Sequence, residues 1–256
     1  MFITTDRLDD AVLAKAVCEQ VLAVQVKQFI PRETAMEIGH RILGQGFDSY
    51  VNAPDIGRIG MALYEAENIP ARLDAYFNTA LDNIEVLRKR CMPYASPMDM
   101  LRCTLDEMWP AGAQLEHLYG RKAYVGLSRI VQPGVEFLAH HDILAKDAPE
   151  TFRSHSLTSQ LAANIYLTMP TDGGGLHIWQ SAISAAEFDG MRGDSYGIDP
   201  SLLGKPTLHI QPEEGDLVLF NSRHMHAVTP GSDTPRLSLS CFVGYRGVAS
   251  PLTFWS

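Results

Sequence analysis

Leu161-Ala162-Ala163-Asn164-Ile165-Tyr166-Leu167-Thr168-Met169, followed by Pro170-Thr171-Asp172-Gly173-Gly174-Gly175 and Leu176-His177-Ile178-Trp179, reads as an apolar strand, a glycine-rich turn and a second short strand. The glycine triplet follows Asp172 between strand signals and opens no helix, so it is read as a tight hairpin and not as a phosphate loop. The same pattern extends outward from it. Short β-rich runs cover Tyr124–Val131, Val135–Ala139, Thr207–Ile210, Leu217–Phe220 and Leu237–Val243, punctuated by Pro133-Gly134, Glu214-Gly215 and Thr229-Pro230-Gly231. Seven or eight short strands with this punctuation predict an antiparallel sandwich or jelly roll.

The first half has a different period. Leu73, Tyr76, Phe77, Ala80, Leu81, Ile84 and Leu87 recur at three- and four-residue spacing, the stripe of one amphipathic helix opening near Pro70. Arg88, Lys89 and Arg90 are read as its solvated last turn, where cations suit the helix dipole. Ser96-Pro97 marks a further helix start, Pro31–Gly44 a short helix, and Leu22, Val24 and Val26 alternate like a strand. The expected fold is therefore mainly β with a helical N-terminal half. One domain over 1–256 is expected: a mainly helical support region 1–119, a β core 120–246 and a C-terminal tail 247–256. The stretch 181–205 lacks alternation, is rich in Gly, Asp and Ser, and predicts a lid or binding loop, with a passive surface insertion as the alternative. Asp199-Pro200 is placed to cap a short helix within it.

Composition narrows the function. The 256 residues are 46% hydrophobic and 20% charged, an ordinary globular balance. A formal charge of −9 argues against a nucleic-acid or anionic-membrane surface. The start MFITTDRLDD turns acidic where a secretory signal needs a basic and then an apolar run. Four scattered cysteines form no CxxC pair, which makes a reducing cytoplasm the default expectation. The tail Ser250–Trp255 covers either a partner copy or its own sheet, so the oligomeric state stays open, a homodimer included.

Three elements carry chemistry. His140-His141-Asp142 ends an apolar run, and residues i and i+2 of an extended chain point the same way, so His140 and Asp142 can converge on one metal while His141 faces elsewhere. A lone HxD is weak evidence. His226, 86 residues beyond His140, can close a two-histidine, one-carboxylate face, which suits a non-haem iron(II) oxygenase. Arg236 follows ten residues later, and alternation puts Arg236, Ser238 and Ser240 on one strand face. A guanidinium pointing into a sheet interior needs an anion, supplied either by a ligand carboxylate or by a buried Asp or Glu.

Together, HxD, a distal His on a late strand and Arg-x-Ser about ten residues on resemble the iron(II)- and 2-oxoglutarate-dependent oxygenases over roughly residues 120–245. A closer likeness is to the small-molecule branch with N-acyl amino acid hydroxylases and carrier-protein-independent alkaloid halogenases. It rests on His226-Ala227-Val228-Thr229-Pro230, Pro170–Leu176 and Tyr196-Gly197-Ile198-Asp199-Pro200. The resemblance implies a double-stranded β-helix (jelly roll) core flanked by α-helices. It implies Fe(II) held by His140, Asp142 and His226, with 2-oxoglutarate anchored by Arg236 and Ser238. It further implies O2 as co-reactant, a small biosynthetic molecule as substrate, and release of succinate and CO2. In the halogenases a small residue replaces the HxD aspartate; Asp142 is present here, which favours hydroxylation. Arg129 and Asn164 are candidates for carboxylate contacts. His177 and Trp179, and Arg153 and Arg192 in the lid segments, are candidates for substrate contacts, the alternatives being a satisfied sheet histidine, plain core and solvated surface arginines. The rival reading is a cupin-like metalloprotein or binding module built on His224-Met225-His226, but no Glu follows at the short spacing such a site uses.

Overall fold

The run Ser159–Thr168 is buried at all ten positions, so it must be covered on both faces, and it forms the central strand of the larger of two sheets. The computed structural model describes every residue except 51, 52, 54, 181 and 182. In chain order the strands before the centre are β1 (Phe2–Thr5), β2 (Ala23–Val26), β3 (Asp48–Ser49), β4 (Ile56–Ile59), β5 (Ala113–Leu115), β6 (His117–Leu118), β7 (Arg121–Lys122), β8 (Leu127–Val131) and β9 (Phe137–His140). The central strand is β10 (Ser159–Thr168), and after it come β11 (Leu176–Trp179), β12 (Leu208–Ile210), β13 (Leu217–Asn221), β14 (Met225–Val228), β15 (Arg236–Tyr245) and β16 (Leu252–Trp255). The helices are α1 (Asp10–Val17), α2 (Arg32–Gly44), α3 (Pro70–Asn78), α4 (Ala80–Cys91), α5 (Pro97–Met108), α6 (Leu144–Asp147), α7 (Phe152–His155) and α8 (Ala185–Arg192), with 3-10 turns at Leu63–Ala66 and Pro200–Leu203.

The large sheet runs β1-β2-β13-β10-β15-β8-β4-β3, antiparallel apart from the β1–β2 pair, with β16 joining β15 and β5 lying parallel to β16. The small sheet runs β12-β11-β14-β9, all antiparallel. Helices α1 and α2 cover the outer face of β10. Gly39 of α2 permits this close approach, because a Cβ there would stand 2.6 Å from the Thr168 methyl. Phe220 of β13 meets His226 of β14 with ring centroids 4.9 Å apart, so the two sheets face each other on the side opposite the helices.

Several expectations need correction. The first half, expected to be mainly helical, carries α1 to α5 but also gives strands to the large sheet, β1 and β2 at one end and β3 and β4 at the other. The stripe from Leu73 to Leu87 belongs to two helices that break at Thr79, and Leu81 lies exposed. Arg88 ends its helix in a two-pronged contact with Asp99, at 2.7 and 3.0 Å. The glycine triplet is not a hairpin, since β10 and β11 lie in different sheets and do not pair. Gly173 instead bridges to Gly231, where a Cβ would overlap the Pro230 carbonyl, and the triplet carries the chain across between the sheets. The tail covers its own sheet: β16 is buried throughout and pairs with β15.

Within 181–205, Ser181 and Ala182 lie outside the described residues. The rest forms α8 and the Pro200–Leu203 turn. Ser184 and Glu187 cap α8 reciprocally, and Asp199 accepts from the Ser201 amide at 2.8 Å. Phe188 inserts into an apolar cluster with Ala139, Trp179, Ile198, Met225 and Ala227. Ile198 also pairs with Ala139 of β9 through two backbone hydrogen bonds, at 2.8 and 2.9 Å. None of the described helices is long and apolar enough to cross a membrane.

Candidate functional site

His140 closes β9 directly opposite His226 on β14, and their ring centroids lie 4.2 Å apart. Asp142 follows just beyond the strand. Its amide donates to the Ser222 carbonyl at 2.8 Å and its carbonyl accepts from Gln160 Nε2 at 3.0 Å, which fixes the backbone that aims the carboxylate. Each ring is oriented from behind. His140 Nδ1 donates to the Leu138 carbonyl at 2.9 Å, and His226 Nδ1 to the His224 carbonyl at 3.0 Å. A carbonyl can only accept, so Nδ1 of each ring carries a proton and Nε2 is the atom turned toward Asp142. Burial, reinforced by the neighbouring His226, pushes the His140 imidazole down to about 3, so it is neutral at ordinary pH. Burial alone would raise Asp142, yet contact with His226 and the surrounding charges hold it well below the usual carboxylate range.

Asp142 Oδ2 lies 3.4 Å from His226 Nε2 and 4.0 Å from His140 Nε2. Asp142 Oδ2 and His226 Nε2 are both buried without a hydrogen-bond partner. Three potential ligand atoms lie within 4.8 Å of one another, an arrangement of buried polar atoms that a shared cation would satisfy. Metal–ligand bonds of about 2.1 Å at right angles separate neighbouring ligand atoms by about 3 Å, so the atoms found at 3.4 and 4.0 Å would draw in by up to about 1 Å around an ion. Two imidazoles and one carboxylate fit Fe(II), with adjacent positions left open. Among the described residues no other set of three His, Cys, Asp or Glu side chains converges in this way, and His224 is not part of it.

The facing sheet contributes guanidiniums. Arg236 (β15) and Arg129 (β8) are 4% and 7% exposed, and among the described residues neither has a carboxylate within ion-pair distance. Nε of each is unpartnered. Arg236 lies 4.9 Å over the Tyr166 ring and donates from Nη2 to the Tyr166 hydroxyl at 3.3 Å. Burial lowers its pKa from the ordinary value, as expected of a charge without a counter-ion. Two other part-buried arginines, Arg58 and Arg246, are paired with Glu65 and Glu116, whereas among the described residues Arg129 and Arg236 have no such carboxylate partner. Ser238 stands opposite both Arg129 and Tyr166, with its hydroxyl 3.5 Å from that of Ser240. Asn164 lies opposite Ser240 with Oδ1 unpartnered.

A cavity of about 230 Å³ opens at the His140–Asp142 side. Arg129 and Arg192 reach its wall, together with Tyr196 of the Tyr196–Pro200 motif and with Tyr50, Tyr64, Phe137, Asp147 and Phe188. His141 also lines it, with its ring 4.4 Å from Phe188, where it was expected to face away. Three expected substrate contacts lie elsewhere. His177 and Trp179 register beside Ala227 and Met225, on the strand face opposite His226. His177 meets His209 edge-on with centroids 4.8 Å apart, and Trp179 donates to the Gly204 carbonyl at 3.0 Å. Arg153 does not line the cavity and is tied to Glu116 at 2.6 Å.

Comparison with known proteins agrees with this geometry. Residues 125–244 match the model of the 2OG-Fe(II) oxygenase superfamily. The chain is 28% identical over 243 residues to the L-gamma-glutamyl-L-propargylglycine hydroxylase of Streptantibioticus cattleyicolor, covering 91% of this chain and 87% of that one. An N-substituted L-amino acid dioxygenase from Burkholderia ambifaria, solved with alpha-KG, superposes with a TM-score of 0.60 at 17% identity, over 96% of this chain and 91% of the other. HygX from Streptomyces hygroscopicus, solved with nickel and 2-oxoglutarate, gives a TM-score of 0.50 at 17% identity, over 93% and 87%. Residues 125–244 thus match a 2OG-Fe(II) oxygenase domain, whose cofactors are Fe(II) and 2-oxoglutarate, and the ligand set lies within that stretch.

Proposed function

We propose that the protein hydroxylates an unactivated C–H bond of a small amino acid derivative, consuming O2 and 2-oxoglutarate and releasing succinate and CO2. The observation that carries this reading is the convergence of His140 Nε2, Asp142 Oδ2 and His226 Nε2 opposite a buried guanidinium with no protein anion. In this reading the facing sheets form a double-stranded β-helix core over 120–246. The segment 181–205 serves as a lid, 1–119 as support, and 247–256 seals the core within one domain.

His140, Asp142 and His226 would hold Fe(II), and Arg236 with Ser238 would grip the far carboxylate of 2-oxoglutarate in a charge-assisted fork. Bound there, the metal and the oxo acid supply the oxidation of the C–H bond by O2. The protein does the rest. Leu138 and His224 hold the imidazole tautomers through their carbonyls. Arg129, placed between the sheets beside the ligand set, and Asn164 are positioned to contact carboxylates. Phe137, Phe188 and Tyr196 exclude water from the cavity, with the Tyr196 hydroxyl accepting from the Leu138 amide at 2.9 Å. Asp142 occupies the position that a halide would need, which favours oxygen transfer over halogenation.

The substrate class rests on the curated relative, which acts on a γ-glutamyl amino acid. A succinate-release screen over free, γ-glutamyl and N-acyl amino acids, followed by mass analysis, tests the proposal. The expected result is substrate-stimulated succinate together with a product that has gained one oxygen. Succinate release with a halogenated or desaturated product instead would overturn hydroxylation.

A further inference from the structure

The cavity wall carries more charge than the ligand set explains. Its charged side chains are Glu67, Arg129, Asp142, Lys146, Asp147 and Arg192. Glu67 is paired with Arg72, Lys146 and Arg192 both contact Asp189, at 3.2 and 2.9 Å, and Asp142 belongs with the two histidines. Among the described residues, the two left without an ion pair are one cation, Arg129, and one anion, Asp147.

Asp147 ends α6, the short helix that packs on the 3-10 turn carrying Tyr64. Tyr64 and Tyr50 lie stacked with centroids 5.8 Å apart and line the same cavity. A half-buried carboxyl sharing one cavity with aromatic rings is a combination that can recognise an organic ammonium: the carboxylate supplies the charge and the π-faces replace water. Burial and the charge of Asp142 push the Asp147 carboxyl well above the usual range, which a bound cation would reverse.

We propose that Asp147, against the Tyr50–Tyr64 wall, binds a protonated amine of the substrate, so that a free amino group is a determinant of specificity. This rests on the hydroxylase reading and narrows it. The substrate presents an ammonium that draws the Asp147 carboxyl into its charged form, and derivatives acylated at that nitrogen are poor ligands because they bring no charge to pair with it. Lys146 and Arg192 stay with Asp189 and Phe188 on the lid side and take no part in this recognition.

The test uses the full chain under anaerobic conditions with Fe(II), with and without 2-oxoglutarate. The probes are the L-amino acids and their γ-glutamyl dipeptides, each beside its N-acetyl counterpart, with affinity read by calorimetry. The parent protein is expected to bind free-amine members at least about tenfold more tightly than their N-acetyl forms. Asp147→Asn should reduce that preference to within about twofold, and Asp147→Glu should keep part of it, with 2-oxoglutarate affinity unchanged in both. Equal or better binding of the N-acetyl forms, no free-amine binder in the panel, or a preference that survives in Asp147→Asn would overturn the assignment. Failure of 2-oxoglutarate to bind any of the proteins would count instead against the oxygenase reading, and amine selectivity would still be measured in its absence.

Discussion

Replacing Arg236 by methionine should leave the empty protein intact and disable cosubstrate binding. In the empty protein the guanidinium has one neutral hydrogen-bond partner, the Tyr166 hydroxyl, and the Tyr166 ring beneath it. Losing these costs about 1 kcal/mol for the hydrogen bond and about 1–2 kcal/mol for the ring contact. Removing an unpaired buried charge returns several kcal/mol of desolvation, by order of magnitude. The terms nearly cancel, so the melting temperature without 2-oxoglutarate should change by less than about 5 °C. Binding responds differently. A desolvated, charge-assisted pair contributes about 2–5 kcal/mol, which is a loss of roughly 30- to 4,000-fold in affinity at 1.4 kcal/mol per tenfold. Anaerobic calorimetric titration of the Fe(II)-loaded variant with 2-oxoglutarate measures this, with a parallel metal titration expected to match the parent within about threefold. A 2-oxoglutarate affinity within threefold of the parent's would refute the anchor role of Arg236.

Other outcomes are expected from the same structure. Fe(II) at about 100 times its Kd should stabilise the parent by about 2.7 kcal/mol, a rise of roughly 5–10 °C in anaerobic melting; His226→Ala should show no such rise. Glu116 is fully buried, yet Arg153, Arg246 and Thr253 outweigh that burial and depress its pKa. Its contribution is therefore present above the unfolded carboxylate value and is lost as pH falls through the folded one. Glu116→Gln should cost about 3 kcal/mol at pH 7 and should flatten the loss of stability on acidification in denaturant titrations. Phe188→Ala removes the side chain that pins α8 to His141 and the Trp179 cluster. Hydrogen exchange in 185–192 should accelerate, and substrate KM should rise while 2-oxoglutarate affinity is unchanged.

The ligand set and Arg236 were legible because each depends on local strand parity. His140 ends a strand with Asp142 two residues on, and Arg236, Ser238 and Ser240 alternate on one face. Parity also explains the errors. His177 follows the glycine triplet closely enough to suggest the site, but only the β11–β14 register shows that Ile178, not His177, shares the His226 position. The glycine triplet itself was ambiguous, because a tight hairpin and a crossing between sheets demand the same left-handed backbone and differ only in long-range pairing. Tyr50, Tyr64 and Asp147 could not be found by motif, since they come from a loop, a 3-10 turn and a helix end that only the folded chain brings to one cavity. Arg153 looked free in sequence because its partner, Glu116, lies 37 residues away.

The central claim is that three separated side chains share one ferrous ion. Anomalous diffraction at the iron edge, from crystals of the Fe(II)-loaded protein grown without oxygen, tests it most directly. One peak is predicted, at about 2.0–2.3 Å from His140 Nε2, Asp142 Oδ2 and His226 Nε2. A peak bound elsewhere, or iron held by fewer than these three atoms, would contradict it.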